Sequence, residues 1–365
     1  MGDRRAAQPT SGAGLVAGAP VRAGVLAVLL AVILMGLLAA CDAPAGPATT
    51  TPAASSAAPG TADEPTAAPP SAAPQTPAPS SAAGADAAGG LLVRTESQAV
   101  TAWSAATGDE KRLLATIAQT PQAAWVGDWV DAGVARDQVA RLTSAAAGSG
   151  TTAVLVVYAI PGRDCGLHSA GGVAADAYAA WVEAVAGGIV GHPVVVLEPD
   201  ALAQLGDCDG QGDRVALLAA AARTLDEAGA RVYLDAGHSG WLPVGEVVAR
   251  IRAVGTAHLA GFALNTSNYQ TTADERAYGE QVAAQLDGLG FVVDTSRNGN
   301  GSNGEWCNAR GRALGEAPRL VDDGTALDAL LWVKSPGESD GTCNGGPAAG
   351  QWWQEIALEL ARNAS

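Results

Sequence analysis

The chain has 365 residues, 48% of them hydrophobic, with a formal net charge of -16, and its 9 Trp, 5 Tyr and 2 Phe all lie at Trp103 or beyond. A large core can therefore form only in the C-terminal three quarters. The clustered cations that phosphate binding needs are missing, which argues against a nucleic-acid partner.

At the N-terminus, residues 23–40 form an uncharged apolar run preceded by Arg4, Arg5 and Arg22 and ending in Leu38-Ala39-Ala40-Cys41. That is the layout of an export signal, with a basic region, an apolar region and a small-residue cleavage site. About 18 apolar residues also just span a bilayer, so an uncleaved membrane helix is the alternative. Leu-Ala-Ala-Cys resembles a bacterial lipobox, which implies Cys41 as the lipidated first residue of an exported lipoprotein. Either reading tethers the protein to the outer face of the cell membrane, unless it is released by secretion. From Ala43 to Gly90 there is no Val, Ile, Leu, Met or aromatic residue. Such a segment buries too little to offset its ordering entropy, and its prolines make it a semi-extended, disordered stalk. The expected organisation is a signal peptide over 1–40, lipidated Cys41 and stalk over 41–90, and one monomeric folded domain over 91–365.

Within that domain, apolar runs recur, each ending in a polar cluster. They are AAWVGDWV at 123–130, VLVVYAI before PGRDC, VVVL before EPD, VYL before DAGHSGW, GFAL before NTSNY, FVV before DTSRNG, and ALLWV before KSPGESDG. Ala-rich helical segments lie between them, such as 215–230 and 274–290. Unalternating strands, polar loops and helices in repetition predict an α/β fold with a parallel sheet, and about seven units favour a distorted (β/α) barrel. No GxGxxG follows a strand, which weakens the dinucleotide-binding alternative. Four cysteines, at 165, 208, 307 and 343, suit two disulfides in an exported chain, with three possible pairings. None is spaced as a CxxC knuckle, so zinc is disfavoured and no metal or cofactor is expected.

The carboxyl ends of barrel strands open on one face, where loops build the site. Asp164, Asp200, Asp235, Asp294 and Asp340 all sit at such ends. Five converging acids repel one another unless some are protonated or bound to cations. Divalent-metal binding and glycosidic hydrolysis both use such a rim. The company of Trp125, Trp241, Trp306, Tyr158, His238, Asn265 and Lys334 suits a sugar better, because indole faces pack on pyranose C–H faces while polar donors read hydroxyls.

The runs VVYAIPGRDCG, VVLEPDALA, YLDAGHSGWL, GFALNTSNY, DTSRNGNG, EWCNARGRALG and LLWVKSPGESDGTC resemble, in order, the signature blocks of glycoside hydrolase family six, inverting β-1,4-glucanases with a distorted parallel barrel. The resemblance implies Asp200 as general acid and Asp164 as the acid that raises its partner's pKa and organises the attacking water. It implies Asp340 as a debated base and Asp235 as a carboxylate supporting the substrate. Tyr158 matches a ring-distorting tyrosine, and Ser169 a serine on the water network. Trp125, Trp241 and Trp306 match sugar platforms; His238, Asn265, Lys334 and Glu338 match hydroxyl-binding groups. The pairs Cys165–Cys208 and Cys307–Cys343 match the family's two disulfides. The implied activity is an endoglucanase on β-1,4-glucan, the short Cys307 to Cys343 spacing favouring an open cleft, with a cellobiohydrolase or a non-catalytic glucan-binding protein as alternatives.

Other residues have plainer readings. An Asp after a strand is often the N-cap of the next helix, so Asp200 alone could be a cap. Asp294 is left between a sugar contact and a salt bridge with Arg297 or Arg312. Glu198 reads as a loop anchor, and Trp103, Trp129, Trp181 and Trp332 as packing. Gly171-Gly172 reads as the hinge of a moving lid. Leu242-Pro243-Val244 stands where many members of the family carry a second tryptophan.

Overall fold

The computed structural model describes residues 90–364; the expected signal, Cys41 and almost all of the stalk lie outside the described residues. Each unalternating apolar run forms a strand. β1 is Ala124–Gly127, β2 Val154–Tyr158, β3 Val194–Leu197, β4 Arg231–Asp235, β5 Gly261–Leu264, β6 Gly290–Asp294, β7 Arg319–Leu320 and β8 Leu327–Leu331. They form one sheet in the order β1-β2-β3-β4-β5-β6-β8-β7. All neighbours are parallel except the two-residue β7, which pairs antiparallel with β8. The seven expected strands are thus present, with β7 as an eighth that is too short and too polar to be read from sequence.

Both faces of the curled sheet are dry, which is why the strands do not alternate. Val154, Val156, Val194, Val196, Tyr233 and Val292 point into the barrel. Leu155, Val157, Val195, Leu197, Val232 and Leu234 face the surrounding helices. The strand ladder stays open between β1 and β8. Across that seam Ala123 N–H donates to the Trp332 carbonyl at 2.9 Å and the Trp125 indole N–H to the Val333 carbonyl at 2.8 Å. A separate apolar cluster lies at the seam, built from α1 (Gln98–Ala105), α2 (Gly108–Ala118) and α8 (Gln354–Asn363) with Trp332.

The crossover helices are α3 (Ala132–Ser149), α4 (Tyr178–Ala186), α5 (Arg214–Glu227), α6 (Val244–Val254) and α7 (Thr272–Ala283). Side chains of Asp131, Asp213 and Thr271 cap α3, α5 and α7 by accepting a backbone N–H, satisfying donors that helix starts leave unpaired. Among the described residues, no helix is long and apolar enough to cross a membrane.

Gly279 tests how tightly this outer layer packs. It sits within α7, where Ala would ordinarily be favoured over Gly by about 1 kcal/mol. A Cβ there, however, would lie 2.4 Å from the buried Phe291 ring. Overpacking of this kind costs about 1–3 kcal/mol, so Gly279→Ala is expected to lower the urea midpoint despite the better helix former. A raised midpoint would show that α7 can move away from the sheet.

Candidate active site

The carboxyl ends of β2, β3, β4, β6 and the segment after β8 meet at one mouth of the barrel. Asp164 follows β2 in a 3-10 turn, Asp164–Gly166, that ends the PGRDC loop. Its Oδ2 accepts the backbone N–H and the hydroxyl of Ser169, each at 2.8 Å, and Ser169 Oγ lies 3.0 Å from the Tyr158 hydroxyl. Tyr158, at the end of β2, makes an edge-on contact with Trp125 at 5.2 Å between ring centres.

Asp200 follows β3. Its side chain caps no helix, since α5 takes Asp213 as its cap; its own N–H instead donates to Asp235 Oδ1 at 3.0 Å. Part of Asp200 reaches the surface. Even so, burial first, then the carboxylates of Asp235, Asp164 and Asp340, hold its carboxyl well above the ordinary range, with the Tyr158 hydroxyl pulling the other way. Buried like charges disfavour ionisation in this manner. Asp235, at the end of β4, is buried, and burial pushes it up to about 6.

Asp340 has the opposite surroundings. Arg297 Nη1 donates to its two oxygens at 2.9 and 2.8 Å, Lys334 Nζ lies 3.2 Å away, and the Asn308 N–H adds a bond at 2.8 Å. Burial alone would raise its pKa, but the guanidinium and ammonium together hold it below the usual carboxylate range. Tyr269 lies beneath, with the Arg297 guanidinium 4.5 Å from its ring centre.

Two expectations are corrected. Asp294 is neither ion-paired nor turned to a ligand: buried, it accepts the backbone N–H groups of Ser267, Ser296, Val333 and Lys334. Arg297 pairs with Asp340 instead. Asn265 is fully buried, with both amide protons spent on the Gln270 and Asp294 carbonyls, which makes it a loop clamp and leaves it no proton for a sugar hydroxyl. Gly171 and Gly172 are places of close approach: a Cβ on Gly172 would sit 2.0 Å from the Ile160 carbonyl, and its N–H donates to Asp128.

The remaining residues lie around this mouth. Glu198 anchors the loops, accepting the N–H groups of Ala159 and Ile160 and the Tyr178 hydroxyl, and burial takes it to about 7. His238 and Trp241 are half-buried on the loop after β4, and burial lowers His238 to about 4. Trp306 is 49% exposed. Lys334 is buried on Asp340, and half-buried Glu338 accepts from Gln98. The disulfides pair Cys165 with Cys208 and Cys307 with Cys343, using all four sulfurs. Leu242 packs against the core and Pro243 occupies the N-cap position of α6.

Sequence reasoning passed over the cations that hold these loops. Arg214, buried at the first position of α5, donates to the carbonyls of Pro161 and Gly162 from the Asp164 loop and Ala201 from the Asp200 loop. Arg163 pairs with Asp128 and donates to the Tyr158 and Ser169 carbonyls. Adjacency to Asp164 was the one signal for Arg163; Arg214 had none.

Chemically, the Asp200 carboxyl, held well above its ordinary range, stands near a hydroxyl string that ends on Asp164, while Asp340 is paired with two cations. A model of glycosyl hydrolases family 6 matches residues 92–364. Endoglucanase A of Cellulomonas fimi is 65% identical over 75% of this chain, which spans 61% of that protein's length. Endoglucanase 1 of a Streptomyces species is 45% identical over 74% of this chain and 77% of its own. The structure of the endoglucanase Cel6 from Mycobacterium tuberculosis, in complex with methyl-cellobiosyl-4-deoxy-4-thio-β-D-cellobioside, superposes with a TM-score of 0.70 at 41% identity, covering 75% of this chain and 96% of that one.

A buried acid with a raised pKa reverses the usual dependence of stability on pH. Glu275 of α7 is fully buried, accepts the Ser239 N–H at 2.9 Å, and is raised by burial to about 7. A carboxyl whose folded pKa is raised favours folding fully below its unfolded pKa, and that contribution is lost as pH rises through the folded value. Glu275→Gln keeps the acceptor and removes the charge. It is expected to match the parent near pH 4 and to exceed it in unfolding free energy by roughly 2–3 kcal/mol above pH 7.5. Equal stability at both pH values would mean that Glu275 ionises without cost.

Proposed function

The chain belongs to glycosyl hydrolases family 6, and from that premise we propose that it is an endo-β-1,4-glucanase acting with inversion. The observation that carries the reading is the Asp200 carboxyl, raised well above its ordinary range by burial and neighbouring carboxylates, beside the Tyr158–Ser169–Asp164 string. In the proposed reaction a water oxygen attacks the anomeric carbon, the glycosidic C–O bond breaks, and the leaving oxygen takes the Asp200 proton. The water's proton passes toward Ser169 Oγ and the Asp164 carboxylate. Asp340 is a poor base, because its lone pairs and charge are committed to Arg297, Lys334 and the Asn308 N–H; its role is to fix the loop after β8. Inverting enzymes separate their two carboxyl groups to admit water, and the spread of Asp164 and Asp200 over different strand ends suits that arrangement.

Asp235 positions Asp200 through its N–H and adds like charge. Trp125, Trp241 and Trp306 supply flat faces for glucose rings, with His238 and Glu338 reading hydroxyls. The endo assignment is supported by the names of the relatives and by the modest span of 36 residues between Cys307 and Cys343. We further propose export as a monomer, with Cys41 as a lipid attachment site and 43–90 as a spacer from the membrane. Apolar run, cleavage residues and stalk composition in the sequence support that placement.

On carboxymethyl-cellulose, viscosity is expected to fall well before reducing ends accumulate; retained glucan binding with no reducing-sugar release would contradict the hydrolase reading. Asp200→Ala is expected to lower turnover by about 10³-fold, the scale of a lost general acid, while cello-oligosaccharide affinity stays within about threefold. A parallel loss of binding would mean that Asp200 holds the substrate instead of protonating it.

A further inference from the structure

Residues alternate sides along a strand, and in β1 that alternation has a consequence at the barrel mouth. Ala124 and Val126 face the helices, whereas Trp125 packs against the interior cluster. Gly127 therefore faces the interior as well, at the last position of the strand, directly opposite Tyr158 in the register. Gly127 has no side chain, and the space is filled: a Cβ there would lie 2.2 Å from the Trp129 ring. The indole is thus folded back over the interior side of the β1 end, beside Tyr158.

Trp129 is 53% exposed, and among the described residues only Trp306 is a comparably exposed tryptophan. One flank lies against Arg163, whose guanidinium carbon is 5.6 Å from the Trp129 ring centre and 4.6 Å from that of Tyr158. Arg163 is fixed in turn by Asp128 and the Tyr158 carbonyl. Trp125, Tyr158, Arg163 and Trp129 form one continuous array that begins at the proposed hydrolytic site and ends on an open aromatic ring. An exposed indole kept in place by a glycine and a buried arginine loses little freedom on binding a ligand, and its surface suits the C–H face of a pyranose.

We propose that Trp129 is a further sugar platform, binding a glucose unit of the β-1,4-glucan on the β1 side of the mouth. The inference rests on the glucan reading above but is tested through binding. In the full-length chain carrying Asp200→Ala, so that ligand is not consumed, cellohexaose is titrated calorimetrically. Trp129→Ala is expected to weaken binding about tenfold and Trp129→Phe to restore it to within about threefold. In the otherwise native enzyme the same Trp129→Ala change is expected to fall on KM and not on kcat. Undiminished cellohexaose affinity in Trp129→Ala would overturn the proposal. So would a loss that Phe does not restore and that follows a lowered unfolding temperature, because Trp129 would then be a packing residue. Failure of the hydrolase reading would be seen separately, as absence of product from the native enzyme.

Discussion

Asp164, Glu198, Asp200, Asp235, Asp294 and Asp340 are carried to the mouth of this barrel by its strand ends and largely taken out of water, and the site depends on how each is accommodated. Removing an ionised carboxylate from water costs several kcal/mol unless hydrogen bonds or cations replace the lost hydration. Asp294 is given four backbone N–H groups. Glu198 has two backbone N–H groups and a phenol, and Asp340 has two cations. Asp164 takes the serine N–H and hydroxyl, and Asp235 the N–H groups of Asp200 and Gly237. Asp200 receives little beyond Tyr158. The proton-donor role proposed for Asp200 rests on where the compensating groups lie.

That distribution requires a strained backbone. Asp164, Glu198, Asp200, Asn265, Ser267 and Asn308 all have φ between 51° and 69°, the left-handed region that residues other than glycine seldom occupy. Each such residue costs on the order of 1–3 kcal/mol and persists only where its surroundings hold it. The holding groups are identifiable: Arg214 ties the loops after β2 and β3 together, Asn265 clamps its own loop to the end of β6, and the two disulfides close the segments on either side.

Much of this was legible in the sequence because it is local. Unbroken apolar runs such as Val194–Leu197 read as strands buried on both faces, and in a parallel barrel the polar clusters after them fall at one rim. The rim position of Asp200 and Asp164 follows from that placement, while their roles are what the family resemblance implies. Partnerships across the rim were not legible. Arg297 chose Asp340, 43 residues away, over the nearby Asp294, since the loop after β6 turns its guanidinium toward the segment after β8. Asn265 looked like a sugar-reading amide because burial of a single loop residue has no signature in spacing. Trp129 reads as packing from the sequence, and the bare inward position at Gly127 that motivates the proposed platform shows only once the strand's inward face is known.

The claim on which the rest turns is that Asp200 keeps its proton where Asp340 cannot. Carbon-13 NMR of aspartate carboxyl groups in the full-length chain, followed through pH and assigned with Asp200→Asn and Asp340→Asn, measures it directly. The Asp200 resonance is expected to titrate well above the ordinary aspartate value of about 3.9, and Asp340 to stay ionised below it. An Asp200 carboxyl that ionises at or under that ordinary value would contradict its assignment as the proton donor.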